Sequence, residues 1–76
     1  MTPSQCRAAR ALLGISQIQL ADASGVATRT IISFEKQDRV TLDSNRNALR
    51  EALEQAGVMF LNDDGQGLGV RFKALE

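Results

Sequence analysis

Two short helical segments separated by a single glycine constrain the fold of this chain more than any other feature. The first segment begins at Ser16, and Gln19 three residues later completes a reciprocal cap of the helix start. It ends at Gly25, because glycine adopts the left-handed backbone that follows many helices. In the second segment, Ile31 and Phe34 are the inward residues by spacing. The turn leaves no room for an extended linker, so the two helices must cross steeply.

Two further helices flank this pair. One is predicted to begin at Thr2, which forms the same capping pattern with Gln5, and to end at Gly14. The other is predicted to begin near Asp43 and to end at Gly57, after a polar loop at 36–41. Apolar residues recur along both at helical spacing: Cys6, Ala9, Leu12 and Leu13 in the first, and Leu42, Leu49, Ala52, Leu53 and Ala56 in the last. The central pair with these neighbours predicts a helix-turn-helix unit inside a mainly α domain.

Past Gly57 the pattern becomes that of strands. Residues 58–61 form a short apolar run, 62–67 are rich in turn formers, and apolar residues alternate through 68–72. This pattern predicts a β-hairpin, which is marginally stable alone and must pack on the helices, pair with another chain, or both. Four residues are candidates for a dimer contact or for packing on the fourth helix, and the sequence does not divide these roles: Phe60, Leu61, Val70 and Phe72.

Composition argues against catalysis. The chain has 76 residues, no histidine and one cysteine, so an imidazole base, an internal disulfide and a thiolate metal site are not available. Cys6 is expected to be a small buried residue. We predict one domain without enzymatic activity, cofactor, metal or small-molecule ligand. Because so short a chain has a thin core, a second copy is a natural source of further buried surface.

The chain start and the apolar segments set an expectation for location. No basic segment followed by an apolar run stands at the start, and no apolar stretch approaches the ~20 residues that span a bilayer. We therefore expect a cytoplasmic protein without a membrane partner.

The charges are balanced overall but unevenly distributed. The net charge is zero, yet seven cations stand against four acidic residues up to residue 50, and two against five beyond it. This division favours a nucleic-acid-binding first part and an acidic tail with another role. An ordinary scatter of surface charge is the alternative explanation.

The stretch from Arg10 to Lys36 resembles the Xre/Cro/CI family of helix-turn-helix regulators. The positions that carry the family spacing without a gap are Ser16, Gln17, Leu20, Ala21, Gly25, Val26, Ile31, Phe34 and Glu35. The resemblance covers roughly residues 3–56. It implies a lambda-repressor-like domain of four to five helices that binds operator DNA as a dimer. Residues 1–57 would form that domain, and 58–76 would be a C-terminal hairpin extension used in dimerisation or packing.

The chain departs from the family pattern at three positions. Ala27 stands where serine or threonine is frequent, so the third helix is expected to lack a side-chain cap. Gln37 stands where glycine is frequent, and Ile32 is apolar where a polar residue is common.

The resemblance also implies roles for single residues outside the base-reading edge. Gln17 matches a position that commonly contacts a phosphate, and a plain helix-capping residue is the alternative. Thr30 matches a position often on the DNA backbone, and Glu35 matches an acidic residue that is usually structural. Lys36 and Arg39 flank the third helix, where they would contact phosphates or remain solvated loop charges.

The base-reading edge is predicted on the third helix, near Thr28. In this motif the second helix of the pair enters the major groove. Thr28, Arg29 and Ser33 match positions that meet base edges, and Ile32 lies one turn after Thr28 on the same edge. Arg29 can donate two hydrogen bonds to a guanine base, and the alternatives are a phosphate contact or a surface salt bridge. Ile32 suits a thymine methyl group or a protein contact.

The resulting functional prediction is a homodimeric bacterial repressor or dual regulator. It would bind double-stranded operator DNA of pseudo-palindromic sequence at its own or a neighbouring promoter and so associate with the nucleoid. The alternative is a protein-interaction module of antitoxin-like or antiactivator type, which zero net charge and an exposed Ile32 would favour.

Overall fold

The computed structural model describes residues 1–38, 40–63 and 65–73. Within them lie four helices followed by two strands, in agreement with the predicted mainly α fold. The elements are α1 (Pro3–Leu13), α2 (Gln17–Ser24), α3 (Thr28–Lys36), α4 (Asp43–Gln55), β1 (Val58–Leu61) and β2 (Gly69–Phe72). None of these helices is long and apolar enough to cross a membrane.

Reciprocal side-chain caps begin the first two helices, as predicted. In α1, the Gln5 N–H donates to Thr2 Oγ1 at 3.1 Å, and the Thr2 N–H donates to Gln5 Oε1 at 2.9 Å. The Ser16 and Gln19 pair repeats this arrangement in α2. Gly25 follows α2 with a φ of 76°, which confirms the left-handed turn between α2 and α3. The single glycine turn therefore has the expected backbone.

The α3 helix begins without a side-chain cap, and the ends of α3 and α4 differ by one or two residues from the predicted ends. Ala27 precedes α3 without a side-chain hydrogen bond, as predicted. Gln37 follows α3 in the left-handed conformation, with a φ of 60°. The helix includes Lys36, so the predicted loop begins one residue later than expected. The α4 helix ends at Gln55, two residues before Gly57.

The core lies where the helices meet under the hairpin. Its buried apolar members come from every helix, from the turn between α2 and α3, and from β1: Cys6, Ala9, Leu20, Val26, Ile31, Phe34, Leu49, Leu53 and Val58. Three predicted core positions are exposed instead, namely Leu12, Leu42 and Ala56. Leu12 lies in the last turn of α1, and Leu42 and Ala56 directly flank α4, where the apolar spacing continues but no neighbouring element covers the side chain.

The hairpin is antiparallel and packs on two helices. Val58 lies opposite Phe72, and Phe60 lies opposite Val70. β1 packs on α4 and β2 packs on α1. Phe60 and Val70 are half-buried against the core, and the Arg50 guanidinium carbon lies 5.8 Å from the Phe60 ring centre. The division of these residues between packing and a dimer contact stays a prediction, and β2 begins at Gly69 rather than at Leu68.

A buried glutamine connects the hairpin to the start of the chain. Gln5 Nε2 donates to the Gly69 carbonyl at 2.9 Å and to the Leu61 carbonyl at 3.3 Å. The same side chain accepts the capping bond from Thr2. Gln5 thus stabilises the first turn of α1 and the open end of the hairpin at once.

Candidate nucleic-acid interface

The α3 helix presents one edge away from the core. Ile31, Phe34 and Glu35 are buried on its inner side. On the other side Arg29 is exposed, and the remaining three residues of the predicted edge are half-buried: Thr28, Ile32 and Ser33. The four side chains share one surface because residues four apart on a helix lie one above another.

Glu35 is the buried anchor of this helix. Its side chain is 3% exposed and receives two hydrogen bonds from Arg10, at 2.7 Å and 2.8 Å. Gln17 Nε2 donates to Oε1 at 3.0 Å, and Cys6 Sγ donates to Oε2 at 3.3 Å. The Arg7 guanidinium donates to the Glu35 backbone carbonyl. One carboxylate therefore joins α1, α2 and α3, and it has the structural role that the resemblance implied.

The electrostatics of this cluster are consistent with its hydrogen bonds. Burial alone would raise the pKa of the Glu35 carboxyl, but bonds from Arg10, Gln17 and Cys6 outweigh it, so the pKa lies below its usual range. Burial, and then the bond to Glu35, raises the pKa of the Cys6 thiol to about 12. The bond to Glu35 raises the pKa of Arg10. At neutral pH the cluster is an ion pair with a protonated thiol.

The residues predicted to contact phosphates lie at separate places around α3. Gln17 is the first residue of α2, and its amide group is oriented by Glu35. Thr30 is half-buried on α3, and Lys36 is exposed at its last position. Arg39 lies outside the described residues. The two weaker candidates of α1 are both bonded to Glu35: Arg10 is half-buried and bonds the carboxylate, and Arg7 is exposed and bonds the backbone carbonyl.

A shallow groove beside α3 is lined in part by polar residues that the sequence did not predict as members of the site. The groove has a volume of about 220 Å³, and Thr41 and Asn45 line it together with Arg29 and Ser33. Leu42 precedes α4 without a side-chain cap, so the first N–H groups of that helix keep their donor capacity. In the sequence, the lack of a capping residue before Asp43 is the signal that could have indicated free N–H groups at the start of α4.

The hairpin packs away from the α3 edge. α3 packs on α1 and α2, whereas β2 packs on α1 and β1 packs on α4. The chain therefore separates its candidate nucleic-acid edge from its candidate assembly element.

Crossing helices joined by a glycine turn, with a polar edge on the second of them, define a DNA-binding helix-turn-helix domain. A family model described as helix-turn-helix matches residues 7–44, half of the chain and the part that carries this edge. The chain belongs to the helix-turn-helix family of the Xre/Cro/CI type, a family of DNA-binding transcription regulators. No curated protein matches the sequence.

Proposed function

We propose that this chain binds operator DNA as a homodimer and acts as a repressor or dual regulator of its own or a neighbouring promoter. Residues 1–57 form the DNA-binding part, and the hairpin within 58–76 serves assembly. α3 enters the major groove with its outer edge against the bases.

The observation that carries this proposal is the fixed outward edge of α3. The Glu35 cluster and the buried Ile31 and Phe34 hold the helix from behind, so Arg29 projects from a rigid support. An arginine there can donate two hydrogen bonds to guanine, worth roughly 1–3 kcal/mol of base discrimination. Thr28 and Ser33 add donors and acceptors, and Ile32 offers an apolar contact to a thymine methyl group.

Phosphate contacts supply most of the affinity in this proposal. Gln17, Thr30, Lys36 and Arg39 are the proposed side-chain contacts, and the uncapped start of α4 adds backbone donors. Binding of this kind weakens steeply as salt rises, because counterions released from DNA contribute to the free energy of binding.

A dimer gives the small domain enough reach to read a useful site. One copy measures 30 × 29 × 18 Å, so equivalent edges in two adjacent copies lie on the order of one DNA turn, ~34 Å, apart. Two half-sites in an inverted repeat then meet two recognition helices. Sedimentation should give a dimer at micromolar concentration, and a monomer would count against this part of the proposal.

The test is a binding titration on the DNA upstream of the coding region. Duplexes carrying its inverted repeats are compared with shuffled duplexes of the same composition by fluorescence anisotropy at several salt concentrations. We expect tighter binding to the repeats by roughly 10³-fold or more. Equal affinity for both duplexes at every salt concentration would contradict operator recognition.

A protein-interaction module remains the second candidate function, and one observation favours it. Val40 is 99% exposed and Leu42 is 69% exposed, both beside the α3 edge. Apolar residues at this place suit a protein partner such as that of an antitoxin-like or antiactivator chain. This candidate predicts that Val40→Ser and Leu42→Ser abolish regulation by the chain in cells, whereas Arg29→Ala leaves that regulation unchanged.

A further inference from the structure

Val40 and Leu42 are the two most exposed large apolar side chains in the part of the chain that the structure describes. Val40 is 99% exposed and Leu42 is 69% exposed. Both lie between α3 and α4, and Leu42 directly precedes Asp43, the first residue of α4. Packing in the core therefore accounts for neither side chain.

Leu42 does not stabilise the helix that follows it either. It occupies the capping position of α4, where its side chain makes no hydrogen bond to the helix. Thr2 and Ser16 supply such a bond at the same position of α1 and α2. Because serine and threonine are favoured at this position and leucine is not, the free protein would be more stable with serine at 42. The fold alone thus gives no reason for leucine here.

The two side chains continue the surface of the α3 edge. They line the shallow groove of about 220 Å³ beside α3, together with Arg29, Thr30 and Ser33. Arg29 is the charged residue among the described residues of this lining, and none of them is acidic. The groove therefore joins apolar side chains to a cation and to hydroxyl groups, directly beside the residues proposed to read bases.

We propose that Val40 and Leu42 contact the methyl groups of thymine bases next to the base pairs that the α3 edge reads. This inference deepens the proposed function and rests on the part of it that places α3 in the major groove. The thymine methyl group is the apolar feature that base pairs present in that groove, and apolar side chains are its protein contacts. Val40 and Leu42 thus extend base recognition beyond α3.

Operator DNA fits this surface better than a protein partner does. Protein interfaces have a well-packed apolar centre surrounded by a polar rim. The apolar surface here is limited to two side chains, and the same groove contains Arg29 and Ser33. DNA bound to the α3 edge comes next to this groove without a further partner, and its phosphates complement the positive charge of Arg29.

The probe for the test is a DNA duplex that the wild-type chain itself enriches from a library with a randomised centre. Leu42→Ser should change stability and affinity for this duplex in opposite directions. The serine adds the missing cap of α4, so Tm should rise by about 4 °C. Affinity should fall by about fourfold or more, because at least one methyl contact is lost. A leucine that only supported the fold would lower both quantities when replaced.

Deoxyuridine tests the methyl contact itself, because it lacks only the methyl group of thymidine. Each thymidine of the enriched duplex is replaced in turn, and affinities are measured by fluorescence anisotropy. The wild type should lose about fourfold at one or more positions. A variant that carries both Val40→Ser and Leu42→Ser should show no loss at one of these positions, whereas a contact made by Ile32 would persist in it.

Leu12→Ser is the matched control. Leu12 is 46% exposed in the last turn of α1 and does not line the groove. This variant should keep the affinity of the wild type and every loss caused by deoxyuridine.

The outcomes separate this inference from the proposed function. A double variant that binds the duplex as tightly as the wild type, or that keeps every deoxyuridine loss, overturns the methyl contact and leaves operator binding intact. If such a variant also loses regulation in cells, Val40 and Leu42 contact a protein partner instead. A wild type that enriches no sequence refutes the proposed function, and this inference with it.

Discussion

At the scale of single residues, Glu35 determines how α3 is held. A carboxylate that is 3% exposed accepts bonds from three side chains on two other helices. Removing such a partner leaves buried donors unpaired, which costs more than the ion pair itself contributes. The proposed base-reading edge thus depends on Glu35, which is not itself a proposed DNA contact.

Glu35→Gln should reduce stability and remove part of its dependence on pH. The lowered pKa of Glu35 means that its contribution is present above the unfolded value, ~4.3, and is lost as pH falls through the folded value. The variant should lose roughly 3 kcal/mol near neutral pH, and its difference from the wild type should shrink as pH falls below ~4.3 and through the folded pKa. Urea denaturation across this range measures both.

Glu54→Gln is the control for this experiment. Its carboxylate is about two-fifths exposed and pairs with Arg50 on the surface of α4. It should therefore change stability by under ~1 kcal/mol. Parallel pH profiles for the wild type and Glu35→Gln would contradict the role of the buried cluster.

Gln37→Gly should stabilise the protein. Gln37 has a φ of 60°, a left-handed conformation that costs a residue with a side chain roughly 1 kcal/mol and costs glycine little. We expect a gain of about 0.5–1 kcal/mol and a rise in Tm of about 4 °C, measured by circular dichroism. The same change at Gln55, the last residue of α4, which is not left-handed, should not raise stability. Loss of stability in both variants would contradict the argument.

At the scale of elements, the capping glutamines of α1 and α2 make different sets of hydrogen bonds. Gln5 and Gln19 occupy the same position in equivalent caps, but only Gln5 also bonds the hairpin. Gln19→Ala should cost about 1 kcal/mol, and Gln5→Ala about 2–3 kcal/mol, because further hydrogen bonds are lost. Chemical denaturation of both variants measures the difference. Equal losses would show that the bonds from Gln5 to the hairpin contribute nothing.

The sequence predicted the helix starts and the glycine turn better than it predicted which apolar residues are buried. Caps and glycines are local signals, so the helix starts at Thr2 and Ser16 and the turn at Gly25 were predicted correctly. Apolar spacing overestimated burial at Leu12 and Leu42, because it does not show which neighbour covers a helix end.

The candidate site likewise has one part that the sequence predicts and another part that depends on tertiary packing. The α3 edge was predicted from spacing and resemblance, and the structure brings its four residues together on one surface. The bond from Gln5 to Gly69, across 64 residues, has no local signal. The orientation of Gln17 by Glu35 and the groove with Asn45 depend equally on tertiary packing.

At the scale of the whole molecule, the two candidate surfaces are separated by α1. The α3 edge lies on one side, and the hairpin packs on α1 and α4. A chain with zero net charge still concentrates cations in its first 50 residues, where the proposed DNA contacts are. Assembly through the hairpin, as proposed, would leave both α3 edges free to bind DNA.

The most direct test of the account is the ratio of specific to non-specific binding for Arg29→Ala. Affinities of the wild type, Arg29→Ala and the control Arg50→Ala are measured by anisotropy on operator and shuffled duplexes at one salt concentration. We predict that Arg29→Ala weakens operator binding by roughly 10- to 100-fold and shuffled binding by under about threefold, with Arg50→Ala close to the wild type. Equal losses on both duplexes would show Arg29 to be a phosphate contact, and no loss on either would contradict base reading by α3.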